Sequence, residues 1–158
     1  LVLQVKPTQV TLVPDAEDAI TSNAGWDTLT HRDYLREVVA EFKRHGIRTS
    51  LFVDPIAEMV EGAAQVGADR VELYTEAYAR DYARGHKQGI APYVQAAQVA
   101  QRVGLGLNAG HDLSLDNLQY FKQQIPNLLE VSIGHALISE ALYLGLQNVV
   151  SMYLYRLK

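Results

Sequence analysis

The segment Gly104-Leu105-Gly106-Leu107-Asn108-Ala109-Gly110-His111-Asp112-Leu113, with its counterpart Val131-Ser132-Ile133-Gly134-His135-Ala136 about twenty residues later, decides the fold. Each is a short apolar run that ends in Gly-His, and each is followed by sequence with helical spacing. Similar runs lie upstream, so the strand candidates are Gln9 to Pro14, Arg48 to Asp54, Arg70 to Thr75, Gly104 to Ala109 and Leu129 to Ile133. Their continuous apolar, β-branched character suits strands buried on both faces. Between them apolar residues recur at helical spacing: Tyr34, Leu35, Val38, Val39 and Phe42, then Met59, Val60, Ala63, Ala64 and Val66. Tyr34, Phe42 and Tyr143 are expected to pack. Further helices are predicted near Ala91 to Val103, near Leu115 to Gln124, and from about Ala136 to the end. Glycine closes a helix just before a strand at Gly46, Gly67 and Gly104. The opening Leu1 to Pro7 has no capping residue and meets a proline, and it reads as the tail of a helix that begins upstream.

Strand followed by helix, five times over, demands parallel strands with right-handed crossovers. That leaves a doubly wound open sheet or a closed (β/α)8 barrel, and both place ligands at the C-terminal ends of the strands. Polar residues stand at or just beyond the end of every predicted strand: Asp15, Asp54, Thr75 with Glu76, His111 with Asp112, and His135. An open sheet concentrates its chemistry at one switch point, whereas a barrel gathers residues from many strand ends around one mouth. Residues 1–158 are therefore read as a single α/β domain, a TIM barrel represented by about five of its βα units.

Composition removes several classes of function. With 14 Lys and Arg against 18 Asp and Glu, the net charge is -4, which attracts neither a nucleic-acid backbone nor an anionic membrane. The chain has no cysteine, which rules out a disulfide scaffold and a thiol nucleophile and suits the reducing cytoplasm, the expected location. No apolar run approaches the roughly 20 residues of a membrane-spanning helix. Neither an HExxH nor a calcium-loop pattern is present, so no metal and no cofactor are expected.

Glycine before a helix lets backbone amides approach a ligand, and the helix N-terminus offers unpaired N–H groups to a phosphate. Two Gly-His pairs at consecutive strand ends thus predict a phosphorylated substrate. His111 is the candidate for proton transfer, since imidazole titrates near neutral pH. His135 could do the same or bind the anion, and for either one alone capping its helix or satisfying a backbone carbonyl is the plainer alternative. Glu72 is a carboxylate inside an apolar strand and needs a partner or a task, either an ion pair with an Arg or Lys of a neighbouring strand or a substrate contact. Asp54 before Pro55 reads as a helix cap. Thr21 and Ser22 are loop polar groups within reach of a ligand. Arg80, Arg84, His86 and Lys87 read as a solvated loop, with a mobile lid as the livelier alternative.

Thr11 to Asp15, Ser50 to Asp54, Gly67 to Thr75, Asn108 to Leu113 and Glu130 to Ala136, in this order, resemble the pyridoxine 5'-phosphate synthase family over nearly the whole chain. The resemblance implies a TIM barrel in which these are strands 4 to 8, with strands 1 to 3 outside this chain. It implies condensation of 1-deoxy-D-xylulose 5-phosphate with 3-amino-2-oxopropyl phosphate to pyridoxine 5'-phosphate, phosphate and water, without metal or organic cofactor. His111 matches the family's general acid, and Asp112 a position contacting the amino-ketone phosphate. Gly134 and His135 match the pair that binds this phosphate. Thr21 matches a contact to deoxyxylulose phosphate, and Glu72 the strand glutamate facing the site. The resemblance also implies a homo-oligomer, typically an octamer.

Glu76 stands where the family usually has glycine. The family's Asn-Asp-His and His-Leu-Arg-Glu-Asp-Arg-Arg-His segments and one catalytic glutamate have no counterpart among these residues, so the 158 residues alone are expected to be inactive. A phosphate-binding partial barrel without catalysis, and another phosphate-binding TIM-barrel enzyme, are the alternatives. Unpaired outer strands invite association. The 158-residue chain made alone is therefore expected to self-associate, and sedimentation showing a compact, stable monomer contradicts this.

Overall fold

Five strands pair in chain order, all parallel, with helices filling the crossovers. The computed structural model describes residues 1–16 and 18–158. Its elements are α1 (Val2–Val5), β1 (Gln9–Leu12), α2 (Arg32–Arg44), β2 (Arg48–Val53), α3 (Ala57–Gln65), β3 (Arg70–Tyr74) and α4 (Glu76–Ala83). A 3-10 turn (Lys87–Ile90) follows, then α5 (Ala91–Arg102), β4 (Gly106–His111), α6 (Leu118–Gln124), β5 (Leu128–Ile133), α7 (His135–Leu144) and α8 (Leu146–Arg156). Side chains alternate across each strand. Leu51, Val53, Val71, Leu73, Leu107 and Ala109 point outward into one core with Leu35 and Val39 of α2, Val60 and Ala63 of α3, Ala96 and Ala100 of α5, and Phe121 of α6. The opposite face carries Gln9, Thr11, Phe52, Arg70, Glu72, Asn108, Glu130 and Ser132.

The sheet curls around that polar face. Gln9 of β1 donates through Nε2 to Glu130 Oε1 of β5 at 3.2 Å, although the two strands are the sheet's opposite edges. Arg70 Nη1 donates to Asn108 Oδ1 and to Glu130 Oε2, both at 3.0 Å, and Arg48 Nε to Gln9 Oε1 at 2.9 Å. These bonds floor the lumen of a partial (β/α) barrel and leave its other end as the mouth.

Several details depart from the pattern read in the sequence. β4 starts and ends two residues later than expected, at Gly106 and His111, because Gly104 (φ 78°) and Leu105 are spent closing α5. His111 is thus the last residue of a strand. The final helix is two, broken at Gly145 (φ 82°).

The stretch after β3 is neither a bare loop nor a lid, since residues 76–83 form α4. Tyrosines carry its packing, a signal that hydropathy understates. Tyr78 is buried and its hydroxyl donates to Asn117 O at 2.7 Å, while Tyr93 Oη donates to Tyr74 O at 3.0 Å and accepts from Tyr78 N at 3.3 Å. Arg80 pairs with Glu76 one turn back. Phe42 is half-buried, as expected of packing, but Tyr34 and Tyr143 are 57% and 90% exposed. Tyr34 lies beside the Leu35–Val39 stripe and leans on Trp26, and Tyr143 sits on the outer face of α7. The described residues contain no helix long and apolar enough to cross a membrane.

Asp54 does not cap α3, whose N-cap is Ile56 without a side-chain bond. It instead accepts from Gly25 N at 3.1 Å, and Trp26 N donates to Phe52 O at 2.8 Å, so the long β1–α2 connection is laid across the end of β2. A Cβ at Gly25 would come within 2.4 Å of Asp54 N, so only glycine permits this approach. Gly25→Ala should lift the connection and cost about 1–3 kcal/mol, the usual penalty of overpacking. Red-shifted emission from Trp26, the single tryptophan, checks this, and an unchanged spectrum and denaturation midpoint would refute it.

Candidate functional site

The mouth encloses a cavity of about 510 Å³ lined by Thr11, Val13, Ser22, Phe52, Glu72, His111, Ser132, Ile133, Gly134 and His135. Glu72 lies at its base, only 6% exposed. Thr11 Oγ1 and Ser132 Oγ donate to its Oε2 at 3.2 and 3.3 Å, one hydroxyl from each edge of the sheet. Its bonds among the described residues are to these hydroxyls. Among the described residues no Arg or Lys pairs with it, because Arg70, two positions earlier on the same face, turns to Asn108 and Glu130. Burial pushes the Glu72 carboxyl above the usual range, and the two hydroxyls oppose that rise without cancelling it.

Gly110 makes room for this carboxyl, since a Cβ there would stand 2.5 Å from Glu72 Oε1. The next residue, His111, takes φ 101°, a conformation that costs a side-chain-bearing residue energy and that concentrates at functional sites. Its Nδ1 lies 2.6 Å from Asp112 Oδ2 and its Nε2 2.9 Å from Thr21 Oγ1. The edge of the ring meets Tyr74 at 5.1 Å, with Phe52 at 6.4 Å. Tyr74 also donates to Ser22 O at 3.3 Å, and Ser22 Oγ to Asp15 Oδ2 at 2.6 Å, which ties the connection to the mouth. Burial, and behind it the Asp112 carboxylate, push the Tyr74 hydroxyl above its ordinary value.

His135 opens α7, with Gly134 as its N-cap, and its ring centroid is 6.5 Å from that of His111. Gly134 and His135 are exposed on the mouth, with no side-chain cap on the helix. The first N–H groups of α7 are thus available to an anion at the cavity wall. Of the residues singled out from sequence, Glu72, His111, Gly134 and His135 line one cavity. Thr21 and Asp112 grip His111 from either side. Neither histidine caps a helix through its side chain.

A protein-family model described as "Pyridoxal phosphate biosynthesis protein PdxJ" matches residues 1–158. The chain belongs to this family. It is 70% identical over all 158 residues to a protein of Flavobacterium johnsoniae named pyridoxine 5'-phosphate synthase, and covers 67% of that protein. Proteins of the same name from Christiangramia forsetii and Cytophaga hutchinsonii are 64% and 60% identical over 158 residues, with 67% and 66% of their lengths covered. The chain spans about two thirds of the length of the relatives it matches.

Around this mouth, sequence reasoning missed Thr11, Ser132, Phe52 and Tyr74. The period-two alternation that put Glu72 in the lumen puts Phe52 and Tyr74 on the same face. Parallel register then brings Phe52 beside Glu72, and Ser132 beside Gly110. Counting inward-facing positions would have found them.

The raised Glu72 carboxyl has a consequence for stability. Burial penalises the ionised form, so the favourable contribution is complete below 4.5, the ordinary glutamate value, and is lost as pH rises through the higher folded-state value. Glu72→Gln, which keeps an oxygen for both hydroxyls, should exceed the native protein in denaturation midpoint at about pH 8, with the gap closing as the pH is lowered. Equal midpoints at the alkaline end would contradict this.

Proposed function

We propose that the chain provides the general acid and the amino-ketone phosphate site of a pyridoxine 5'-phosphate synthase. In this reading 1-deoxy-D-xylulose 5-phosphate and 3-amino-2-oxopropyl phosphate condense to pyridoxine 5'-phosphate, with release of phosphate and water. The observation that carries it is the shared cavity: an imidazole held at a strained strand end and an uncapped helix N-terminus face the same space.

The N–H groups of Gly134 and the first turn of α7, with the His135 ring, bind the amino-ketone phosphate, drawn by the positive end of the helix. The main chain at Asp112 completes that contact. His111 donates a proton through Nε2 to an oxygen leaving the growing ring. Thr21 holds this Nε2 and turns to the deoxyxylulose phosphate when substrate takes its place. Glu72, whose carboxyl burial pushes above the usual range, faces the reacting carbons as a hydrogen-bonding group. The whole protein works as a soluble cytoplasmic homo-oligomer, an octamer as is typical of the family. The exposed apolar residues Leu142, Leu146, Leu154 and Tyr155 along α7 and α8 suit burial against other surfaces.

The test is to supply the full-length protein with both phosphorylated substrates and follow pyridoxine 5'-phosphate by mass and inorganic phosphate by colour. Both should appear together, and His111→Asn should lower kcat by about 10²- to 10⁴-fold, the usual contribution of a general acid. Phosphate binding without turnover in the native protein would leave a binding barrel instead.

A further inference from the structure

The His111–Asp112 pair holds more than a phosphate site requires. Successive residues of an extended strand point to opposite faces, so their side chains do not ordinarily meet. Here the positive φ of His111 turns the chain between them, and the two side chains close to 2.6 Å. Asp112 is itself anchored, because its carbonyl accepts from Nδ2 of the buried Asn117 at 3.2 Å. Asn117 in turn accepts from Ser114 N through Oδ1 at 2.9 Å and from Tyr78 Oη through its own carbonyl at 2.7 Å. The imidazole is therefore held by the carboxylate of a residue whose main chain is tied to the start of α6, and it is walled by Tyr74 and Phe52.

We propose that the Asp112 carboxylate is a positioning residue for the acid: it sets the tautomer and orientation of His111, so that Nδ1 carries a hydrogen toward the carboxylate and Nε2 is the nitrogen presented to substrate. This rests on the reading of His111 as the acid. A carboxylate only accepts hydrogen bonds, so the ring nitrogen facing it is the one that bears the hydrogen. The opposite nitrogen, Nε2, then points to Thr21 and the cavity: the acid is the imidazolium, with hydrogen on both nitrogens, which gives up its Nε2 proton there and is left as the neutral ring with hydrogen on Nδ1. A phosphate has no use for a carboxylate of like charge beside it, which leaves the Asp112 side chain for the imidazole and its main chain for the anion. No carboxylate among the described residues bonds the ring of His135, 6.5 Å away. The proposal thus also separates the two histidines, one oriented for proton transfer and the other left to the anion.

The experiment is ¹⁵N–¹H correlation of the imidazole rings in the full-length protein, native and Asp112→Ala, together with steady-state kinetics. Native neutral His111 should show the hydrogen on Nδ1, and Asp112→Ala should move it to Nε2. In the same variant kcat should fall about 10²-fold, as for other small misplacements of a reacting group, while KM stays within about twofold, since the binding contacts remain. Asp112→Glu keeps a carboxylate and should restore the Nδ1 hydrogen and part of kcat; should Asp112→Ala fail to fold, a folded Asp112→Glu with native-like resonances decides for the proposal. Hydrogen already on Nε2 in the native ring, an unchanged tautomer in Asp112→Ala, or a rise in KM alone would overturn it. If the native protein makes no product, the functional reading fails by itself, because the ring resonances report the tautomer whether or not turnover occurs.

Discussion

Glu72 rests against the bare face of Gly110, and much of the mouth follows from that contact. A carboxyl inside a strand must be desolvated, so it needs donors from its own layer. The edges of the curled sheet provide them as Thr11 and Ser132. Space for the second oxygen has to come from the neighbouring strand, which excludes any side chain at position 110. Immediately after that glycine the backbone turns into positive φ at His111, and the turn brings the imidazole against Tyr74 and within reach of Asp112 and Thr21. The buried acid and the strained histidine thus meet at consecutive positions of β4, Gly110 giving space to one and His111 being the other.

The fold was legible because parallel strands buried on both faces leave continuous apolar runs, and glycines at Gly46, Gly67 and Gly104 mark the helix ends through positive φ. What escaped notice has physical causes. α4 buries aromatic hydroxyl-bearing side chains, whose polarity hides their packing. The break at Gly145 lies inside an apolar stretch with no proline or charge to signal it. Asp54 has the residue type of a cap, but the approach of Gly25 from a distant loop captures its carboxylate.

For the site, the residues with reactive groups were visible and their supports were not. His111, Glu72 and the Gly134–His135 pair stand out because charge or imidazole in an apolar strand demands explanation. Thr11, Ser132 and Phe52 are ordinary strand residues: register sets Phe52 beside Glu72 and Ser132 beside Gly110, and the curl of the sheet brings Thr11 to Glu72, as it brings together Gln9 and Glu130, 121 residues apart on opposite edges. Tyr74 is similar: nothing local distinguishes it from other tyrosines, yet it touches His111 on one side and the carbonyl of Ser22 on the other.

The two halves of the mouth are supported very differently. β3 and β4 lie at the centre of the sheet, backed by fully buried Leu73 and Ala109, so Glu72 and His111 sit on a stiff platform. α7 contains no fully buried residue and touches the core through Leu137 and Ala141, while α8 is anchored by Val149 and Tyr153. An apolar residue left in water contributes nothing to holding its helix, and each one covered adds about 1.5–3 kcal/mol. Leu142, Leu146 and Leu154 form such an uncovered set. His135 is the first residue of α7, so the precision with which the N-terminal end of α7 meets the histidine at the end of β4 depends on burying that outer face.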